Sequence, residues 1–333
     1  LVCGLQFEMD RQNDAHAEGY SMRGRFGRSP SPRLGFGIHL LSLLALLLLW
    51  LSAVQLTGPE PRNPILGAGS LQSGDELVRR SQSGAPGQSF VRWFADGHDE
   101  EDWYRSDFDL VENAQRVGWS ADHVTFEDGA AHLWITNRPS PTNPHTSGEY
   151  QKRGWYGFGR FEVIMKAAEG SGLVSSFFTH TGSYFGDPHD EIDFEFLGKD
   201  TTKVWLNWFR DGVPGESKWH QLDFDATDDF HLYAFEWTPE TIRWYVDGEL
   251  VYERPEDSLP VPITPGRIIV NLWSGREAQY DWHGRPDFNV ASHASYHCVS
   301  YRSLDDSVSK QCSDGWVTRV NPVSAGSLQV ASG

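Results

Sequence analysis

Three carboxylates occupy every second position from Glu191 to Glu195, with Asp193 between them and Ile192 and Phe194 in the alternate positions. Successive side chains of a β-strand point to opposite faces, so the pattern predicts a strand with one acidic and one apolar face. The apolar face can enter a core, and we expect the three acids to look out from the opposite surface of the sheet. Like charges about 6.6 Å apart at Cα repel one another. Folding alone therefore does not favour this row.

A row of this kind can hydrolyse a glycosidic bond with retention of configuration. That reaction needs one ionised carboxylate and one protonated carboxylic acid, about 5–5.5 Å apart. Glu191 and Glu195 are about 13 Å apart at Cα along an extended strand, so we expect their side chains to lean together. Asp193 can share a proton with one Glu, and we expect its charge to keep the other protonated within a coupled group. For the motif alone, a solvated acidic edge strand or a calcium site are the alternatives.

Short apolar/polar alternations recur over residues 90–301 between Gly, Pro, Asn and Asp, and no stretch of ten residues has convincing helical spacing. The clearest strand candidates are 160–166, 204–209 and 268–273. Asp247-Gly248, between two further apolar runs, predicts a hairpin with a type I′ turn. Many strands with long connections favour an all-β, two-sheet jelly-roll sandwich.

Composition narrows the function classes. The chain has 28 Lys and Arg against 46 Asp and Glu, a formal charge of −18, which disfavours nucleic acid and anionic membrane surfaces as partners. Aromatic residues make up 13% of the chain, with 14 Trp. Flat aromatic rings suit ligands with apolar C–H faces, such as sugars, although any one Trp can equally belong to the core. No Cys/His cluster indicates a metal, and we expect no cofactor.

The N-terminal region has the layout of an export signal. Four arginines precede an apolar run over 38–51, which predicts a secretory signal peptide or an uncleaved signal anchor, and hence a secreted, periplasmic or membrane-anchored protein. Cys298 and Cys312 can either form one disulfide or remain two buried thiols. The predicted organisation is an upstream extension (1–21), the signal or anchor (22–56), a Gly/Pro/Ser-rich linker (57–88), the catalytic domain (89–303) and a peripheral Ser-rich tail (304–333).

The segment 190–204 resembles the active-site region of bacterial licheninases, the endo-β-1,3-1,4-glucanases of glycoside hydrolase family 16. The likeness extends over about 119–301 and includes 157–163, 172–180, 244–248 and 271–273. The resemblance implies a concanavalin A-like jelly roll with an open cleft across its concave sheet. It also implies that Glu191 is the nucleophile, Asp193 an assistant and Glu195 the acid/base.

Cleft residues follow from the resemblance and from strand alternation. Glu149, Asn207, Asn271, Trp273 and Trp282 match sugar-contacting positions of licheninases. Trp205 and Phe209 share a strand face with Asn207. An amide can bond a sugar hydroxyl while an indole covers the ring's C–H face. The predicted substrate-binding residues are Glu149, His180, His189, Trp205, Asn207, Phe209, Asn271, Trp273 and Trp282.

The sequence departs from licheninases at positions that bear on the substrate. His189 stands for a Trp two residues before the nucleophile, His180 for a cleft Tyr and Gln151 for an Arg. Pro188-His189 instead resembles family members that trim acidic bacterial exopolysaccharides. The licheninase disulfide pair is replaced by Val117 and Ser147, and a calcium-binding carboxylate by His297, so neither feature is expected by inheritance.

The sequence therefore supports one leading hypothesis and two alternatives. The first is a monomeric, secreted, retaining endo-hydrolase of a β-glucan, with mixed β-1,3/1,4 linkages the preferred substrate. The second applies the same chemistry to a succinoglycan-like exopolysaccharide, or transfers the sugar to another sugar instead of water. The third, from another class, is a non-catalytic carbohydrate-binding lectin, which predicts that a catalytic carboxylate is missing.

Overall fold

The alternating segments form strands, as the sequence predicts, in a computed structural model that describes residues 87–111, 115–287 and 291–316. The predicted upstream extension, the signal or anchor segment and nearly all of the linker lie outside these residues. Among the described residues, no helix has the length and apolar character needed to cross a bilayer.

The first sheet, sheet I, contains ten strands within the described residues. Its main path runs β16-β15-β14-β8-β18-β5-β6-β3, with β1 beside β18 and β4 beside β5. The pairing of β3 with β6 is parallel. The strands are β1 (Phe90–Trp93), β3 (Val117–Trp119), β4 (Val124–Glu127), β5 (Ala130–Thr136), β6 (His145–Ser147), β8 (Gly159–Lys166), β14 (His231–Trp237), β15 (Ile242–Val246), β16 (Glu249–Glu253) and β18 (Ser292–Ser303).

The second sheet, sheet II, contains eight strands of the described chain and carries the acid row. Its path runs β12-β11-β10-β9-β17-β7-β2, with β13 also beside β11. The strands are β2 (Trp103–Arg105), β7 (Glu149–Lys152), β9 (Val174–Thr181), β10 (Asp190–Leu197), β11 (Lys203–Arg210), β12 (Val213–Pro214), β13 (Lys218–Gln221) and β17 (Arg267–Trp273).

Helical segments of the described chain are short. One α-helical turn, α1, spans Tyr280–His283. The 3₁₀ turns are Phe94–Asp96, Ala121–His123, Ser183–Phe185, Glu277–Gln279 and Cys312–Gly315. The two sheets and the near absence of helix confirm the all-β jelly-roll sandwich.

The hydrophobic core lies between the sheets. Phe194 and Phe196 of β10 are fully buried, and both contact Tyr233 of β14, with ring centroids 5.7 and 4.7 Å apart. Trp244 of β15 donates a hydrogen bond from Nε1 to the main-chain carbonyl of Asp193. Burying side chains of this size contributes about 1.5–3 kcal/mol each. The apolar face of β10 therefore fixes the direction in which its acids point.

The predicted hairpin forms between β15 and β16. Asp247 and Gly248 both have positive φ, 47° and 88°, as a type I′ turn requires. The Asp247 carboxylate also accepts hydrogen bonds from the main-chain N–H of Leu232 and from the ring of His231. Asp247 thereby ties the turn to β14.

Cys298 and Cys312 form a disulfide, which decides between the two alternatives that the sequence left open. The half-cystines are buried in a small cluster with Ile164 and Leu232. Gln311, from the segment predicted to be a peripheral tail, is buried and donates a hydrogen bond to the Arg160 carbonyl. The sandwich therefore continues beyond the predicted boundary at Ser303, because the disulfide holds the following segment against sheet I.

The positions that correspond to the licheninase disulfide and to the calcium-binding carboxylate have other roles here. Val117 is buried in the main core, and Ser147 donates a hydrogen bond to the Leu272 carbonyl. The ring of His297 hydrogen-bonds to the carbonyl of Gly129, with Nδ1 2.9 Å from the oxygen. The expectation that calcium is not inherited stays a prediction.

Candidate active site

The acids of β10 lie on the face of sheet II that points away from sheet I. Glu191 and Asp193 are each 3% exposed, and Glu195 is 7% exposed. The row thus has the predicted orientation. Neighbouring side chains nevertheless cover the three acids, so the row is not an open acidic surface. Its cross-strand neighbours are Phe209 and His180 for Glu191, Asn207 and Phe178 for Asp193, and Trp205 and Ser176 for Glu195.

Two histidines hold one oxygen of Glu191. Nδ1 of His180 lies 2.7 Å from Oε2 of Glu191, and Nε2 of His189 lies 2.8 Å from the same oxygen. An ionised carboxylate only accepts hydrogen bonds, so each ring must donate an N–H through the nitrogen named. The ring of His189 stacks on Phe209 at 4.7 Å and 22°. The carboxylate is therefore held by two donors, one of which is fixed by an aromatic neighbour.

These hydrogen bonds set the protonation of Glu191. Burial by itself would raise the pKa of this carboxyl, since it disfavours the charged form. The hydrogen bonds from His180 and His189, together with their favourable charge interactions, outweigh burial and hold the pKa well below its usual value. The carboxyl of Glu191 is therefore held in its ionised form.

The other two acids shift in the opposite direction. Burial, then the charges of Glu191 and Glu195, then a hydrogen bond to Glu191 raise the pKa of Asp193 well above its usual value. Burial, followed by the charge of Glu191, raises the pKa of Glu195 to about 8. These pKa shifts differ from the expectation that a charged Asp193 keeps Glu195 protonated. The raised pKa means that the carboxyl of Asp193 keeps its proton and donates a hydrogen bond to Glu191, and it is the charge of Glu191 that acts on Glu195.

A buried polar network lies on β7 and β17. Glu149 accepts hydrogen bonds from Ser106 and Gln151, both at 2.7 Å, and from Asn271 at 3.1 Å. Burial raises the pKa of Glu149 despite these bonds. Oδ1 of Asn271 and Oδ1 of Asn207, on β11, are buried without a hydrogen-bond partner in the described part of the chain. Such acceptors suit the hydroxyl groups of a ligand.

The two tryptophans at the other end of β17 are stacked on each other. The rings of Trp273 and Trp282, which is on α1, are 6.1 Å apart at 28°. Trp273 donates a hydrogen bond from Nε1 to Ser176 and is only 2% exposed. Little of its ring is open to a ligand, whereas Trp282 remains partly exposed above it. The contact of either ring with sugar stays a prediction.

Seven predicted substrate-binding residues share the acid face of sheet II, and two lie beside it. The register of β10 with β11 and β9, and of β17 with β9 and β7, places these seven side chains on that face. They are Glu149, His180, Trp205, Asn207, Phe209, Asn271 and Trp273. His189 precedes β10 and reaches Glu191, and Trp282 covers Trp273. The structure therefore brings all nine predicted residues together around the acids.

Two further residues, Arg267 and Trp219, lie on the same face, and they were not predicted from the sequence as site residues. Arg267 begins β17 and donates a hydrogen bond to Gln151 at 3.2 Å, with its guanidinium near the rings of Trp155 and Phe185. Alternation along β17 could have revealed it, because it has the parity of Asn271. Trp219 lies on β13, directly across from Trp205. That strand has no clear signal in the sequence.

His180, His189 and Glu191 also form a group of donor atoms that one metal ion could share. Their nearest donor atoms lie within 4.8 Å of one another. In the structure both ring nitrogens already bond to Glu191 Oε2. A carboxylate held by two imidazole donors accounts for these contacts.

The fold and the site define a two-sheet jelly roll with a row of three carboxylates across one sheet. The chain belongs to glycosyl hydrolase family 16, whose model matches residues 111–291. It is 43% identical over 212 residues to a β-glucanase of Acetivibrio thermocellus, an alignment that covers 64% of this chain and 62% of that protein. The chain thus spans less than two thirds of the length of that relative.

Two further relatives are covered more fully. The chain is 45% identical over 186 residues to a β-glucanase of Paenibacillus macerans, which covers 56% of this chain and 76% of the relative. The crystal structure of a prokaryotic β-1,3-1,4-glucanase (lichenase) from a mouse hindgut metagenome matches with a TM-score of 0.61 at 40% identity. That match covers 65% of this chain and all of the other.

Proposed function

We propose that this protein is a retaining endo-β-glucanase that hydrolyses internal bonds of mixed-linkage β-1,3-1,4-glucan. The opposite protonation of two acids on one strand face carries the proposal. Glu191 is held as a carboxylate by two imidazole donors, while the pKa of Glu195 is raised to about 8. Retaining hydrolysis requires one carboxyl in each of these states.

The three acids have different roles in the proposed reaction. Glu191 attacks the anomeric carbon while Glu195 gives its proton to the leaving oxygen, which produces a glycosyl ester on Glu191 and a free sugar end. Glu195, now ionised, takes a proton from water as that water attacks the same carbon, and Glu191 leaves as a carboxylate. Asp193 holds Glu191 through its hydrogen bond without ionising.

The polymer crosses the strands of sheet II in this proposal. Asn271 and Glu149 lie on one side of β10, and Asn207 and Trp205 lie on the other. Sugars on both sides of the broken bond then find amide and aromatic groups, as an enzyme that cuts internal bonds requires. The choice of a mixed-linkage glucan rests on the likeness to the lichenase and to the two β-glucanases.

Two variants test the chemistry. Glu191→Gln removes the nucleophile, and hydrolysis of barley glucan is expected to fall at least about 10⁴-fold. Glu195→Gln removes the acid and should lower polymer hydrolysis by about 10²–10⁴-fold. An aryl β-glycoside with an acidic phenol as leaving group needs no proton, so Glu195→Gln should form the glycosyl-enzyme from it in a burst. A Glu191→Gln enzyme with wild-type activity would overturn the mechanism.

A second substrate class is favoured by Arg267. The licheninase Arg position is Gln151 here, yet Arg267 places a guanidinium on Gln151 from the next strand. A cation at the edge of a site in a chain of charge −18 suits a polymer that carries carboxylate substituents. Reducing-end release from barley glucan, lichenan and a succinoglycan-type polymer, measured in parallel, distinguishes the two substrates. Faster cleavage of the acidic polymer would favour the second.

A non-catalytic lectin on the same scaffold predicts the loss of an acid, and the row from Glu191 to Glu195 is complete.

We also propose that the protein is exported, because a basic and apolar N-terminal segment accompanies a disulfide in the sandwich. A monomer suffices, since one chain supplies both acids and both sides of the face. Fractionation of the producing cells tests export, and light scattering after gel filtration tests the monomer.

A further inference from the structure

Trp205 and Trp219 form a row with the acid Glu195. Glu195 of β10 pairs with Trp205 of β11, and Trp205 pairs with Trp219 of β13. Residues directly opposite in an antiparallel ladder share a face, so the three side chains follow one another across the sheet on the acid side. The two indole rings are 4.6 Å apart at 58°. The row leads away from β9 and β17, which lie on the other side of β10.

Trp219 is 38% exposed, unlike most of the aromatic residues around the acids. Trp205 is partly exposed, whereas Trp273 and Phe209 are 2% and 1% exposed. A large aromatic ring left open beside a buried acid row has no role in the core. It does provide a flat apolar surface of the kind that covers the C–H face of a sugar ring.

Contacts at both ends keep β13 in place, although it lies at an edge. The Tyr252 hydroxyl donates a hydrogen bond to the Glu216 carbonyl just before the strand. Gln221, at the end of the strand, donates from Nε2 to the Thr202 carbonyl. Gly215 passes so close to Trp208 that a Cβ atom would lie 2.0 Å from the indole. Trp219 is therefore presented by a fixed strand and not by a free loop.

We propose that Trp219, supported by Trp205, is a binding subsite for a pyranose ring of the glucan on the leaving-group side of the cleaved bond. The inference rests on the proposed function and adds a residue to it. Glu195 delivers its proton to the leaving oxygen, and the two indoles continue outward from Glu195. The polar network of Glu149 and Asn271, on the other side of β10, would hold the sugar that becomes attached to Glu191.

The same subsite has a consequence for product formation. A sugar that stays on Trp219 after bond cleavage, or binds there afterwards, presents a hydroxyl to the glycosyl-enzyme. Attack by that hydroxyl breaks the ester to Glu191, forms a new glycosidic bond and gives the hydroxyl proton to Glu195. Trp219 then increases the ratio of sugar transfer to hydrolysis at high concentrations of an acceptor oligosaccharide.

Trp219→Ala tests the subsite, with Trp219→Phe as the conservative variant and Trp134→Ala as the matched control. Trp134 is a partly exposed tryptophan on β5 of sheet I, away from the acids. We expect Trp219→Ala to raise KM for barley glucan about five- to tenfold, as truncation of an aromatic anchor does at binding surfaces. Trp219→Phe should recover much of the loss, and the transfer-to-hydrolysis ratio with a cello-oligosaccharide acceptor should fall in Trp219→Ala only.

Calorimetry in the Glu191→Gln background separates the subsite from the chemistry. Cello-oligosaccharide binding is expected to weaken about five- to tenfold when Trp219→Ala is added and to be unchanged by Trp134→Ala. Unchanged binding, KM and transfer ratio in Trp219→Ala would overturn the subsite, even if Glu191→Gln is inactive. Full activity of Glu191→Gln would instead overturn the proposed function.

Discussion

His180 faces Glu191 across the β9–β10 ladder, and its Nδ1 lies 2.7 Å from Oε2 of the carboxylate. The contact joins a residue near the end of one strand to a residue near the start of the next. It makes the ionised state of Glu191 depend on strand register.

Removal of the donor at position 180 should shift the acid side of the pH profile. Glu191 is active when ionised, and its pKa is held low by hydrogen bonds from His180 and His189. In His180→Phe that pKa rises, so kcat/KM should decline at a higher pH than in the wild type as the solution is acidified. His180→Gln, whose amide can still donate, should lie between the two. A lower kcat with an unshifted acid limb would show that His180 acts only by packing.

The alkaline limit of activity should report Glu195. The pKa of this acid is raised to about 8 by burial and by the charge of Glu191. The protonated form donates to the leaving oxygen, so kcat/KM on barley glucan should fall as pH rises through about 8. With the aryl substrate that needs no proton, the alkaline limb of glycosyl-enzyme formation should disappear. An identical alkaline limb with both substrates would assign it to another group.

The same acid should make stability depend on pH. In the unfolded chain Glu195 loses its proton near the ordinary Glu value of about 4.3, whereas in the folded protein it keeps the proton up to about 8. The folded state binds the extra proton between these values, so stability should fall as pH rises from about 4.5 to 8. Glu195→Gln removes this contribution. The melting temperature of this variant should therefore rise relative to that of the wild type as pH increases through that window. Calorimetry at several pH values measures it.

Asp193 should tolerate Asn better than Ala. The carboxyl is neutral and donates to Glu191, because burial and the charges of Glu191 and Glu195 raise its pKa well above the usual value. An amide can supply the same donor, so Asp193→Asn should lose less than about tenfold in kcat. Asp193→Ala leaves Glu191 without that donor and should lose about tenfold more, or about 1.4 kcal/mol. Equal losses in both variants would mean that the negative charge of Asp193 is required.

Asp190 should contribute to stability more than to chemistry. Its carboxylate accepts main-chain N–H groups of Asp211, Ile263 and Thr264, each at 2.9 Å. Asp190→Ala leaves these donors without their acceptor, and we expect a loss of about 3 kcal/mol in the free energy of unfolding. Urea unfolding measures it, with Asp223→Ala at an exposed position as the control. A loss no larger than that of the control would contradict the assigned role.

Residue patterns with short-range causes were predictable. The acid and apolar faces of β10 follow from alternation, and the Asp247-Gly248 turn follows from backbone preference. Strand composition gave the positions of β8, β11 and β17 within one or two residues. These features depend on neighbours along the chain, and sequence reasoning sees such neighbours directly.

Features that join distant segments were not predictable in the same way. Trp219 lies on a short, polar edge strand, and only its pairing with β11 brings it to the acid face. The sequence could not decide whether Cys298 and Cys312 form a disulfide, because bonded and free cysteines are written identically in a sequence. The raised pKa of Asp193 could not be read from the sequence, since it depends on how deeply neighbouring strands bury the row.

The sequence by itself determined an all-β chain with three acids on one strand face. Side-chain alternation is a property of a single strand, so no knowledge of its neighbours was needed. Only the tertiary structure decided which acid is ionised, because His180 and His189 reach Glu191 through the register of β9 with β10 and through the packing of His189 on Phe209. A pKa depends on burial and on charges nearby in space, and the chain's order does not specify those distances.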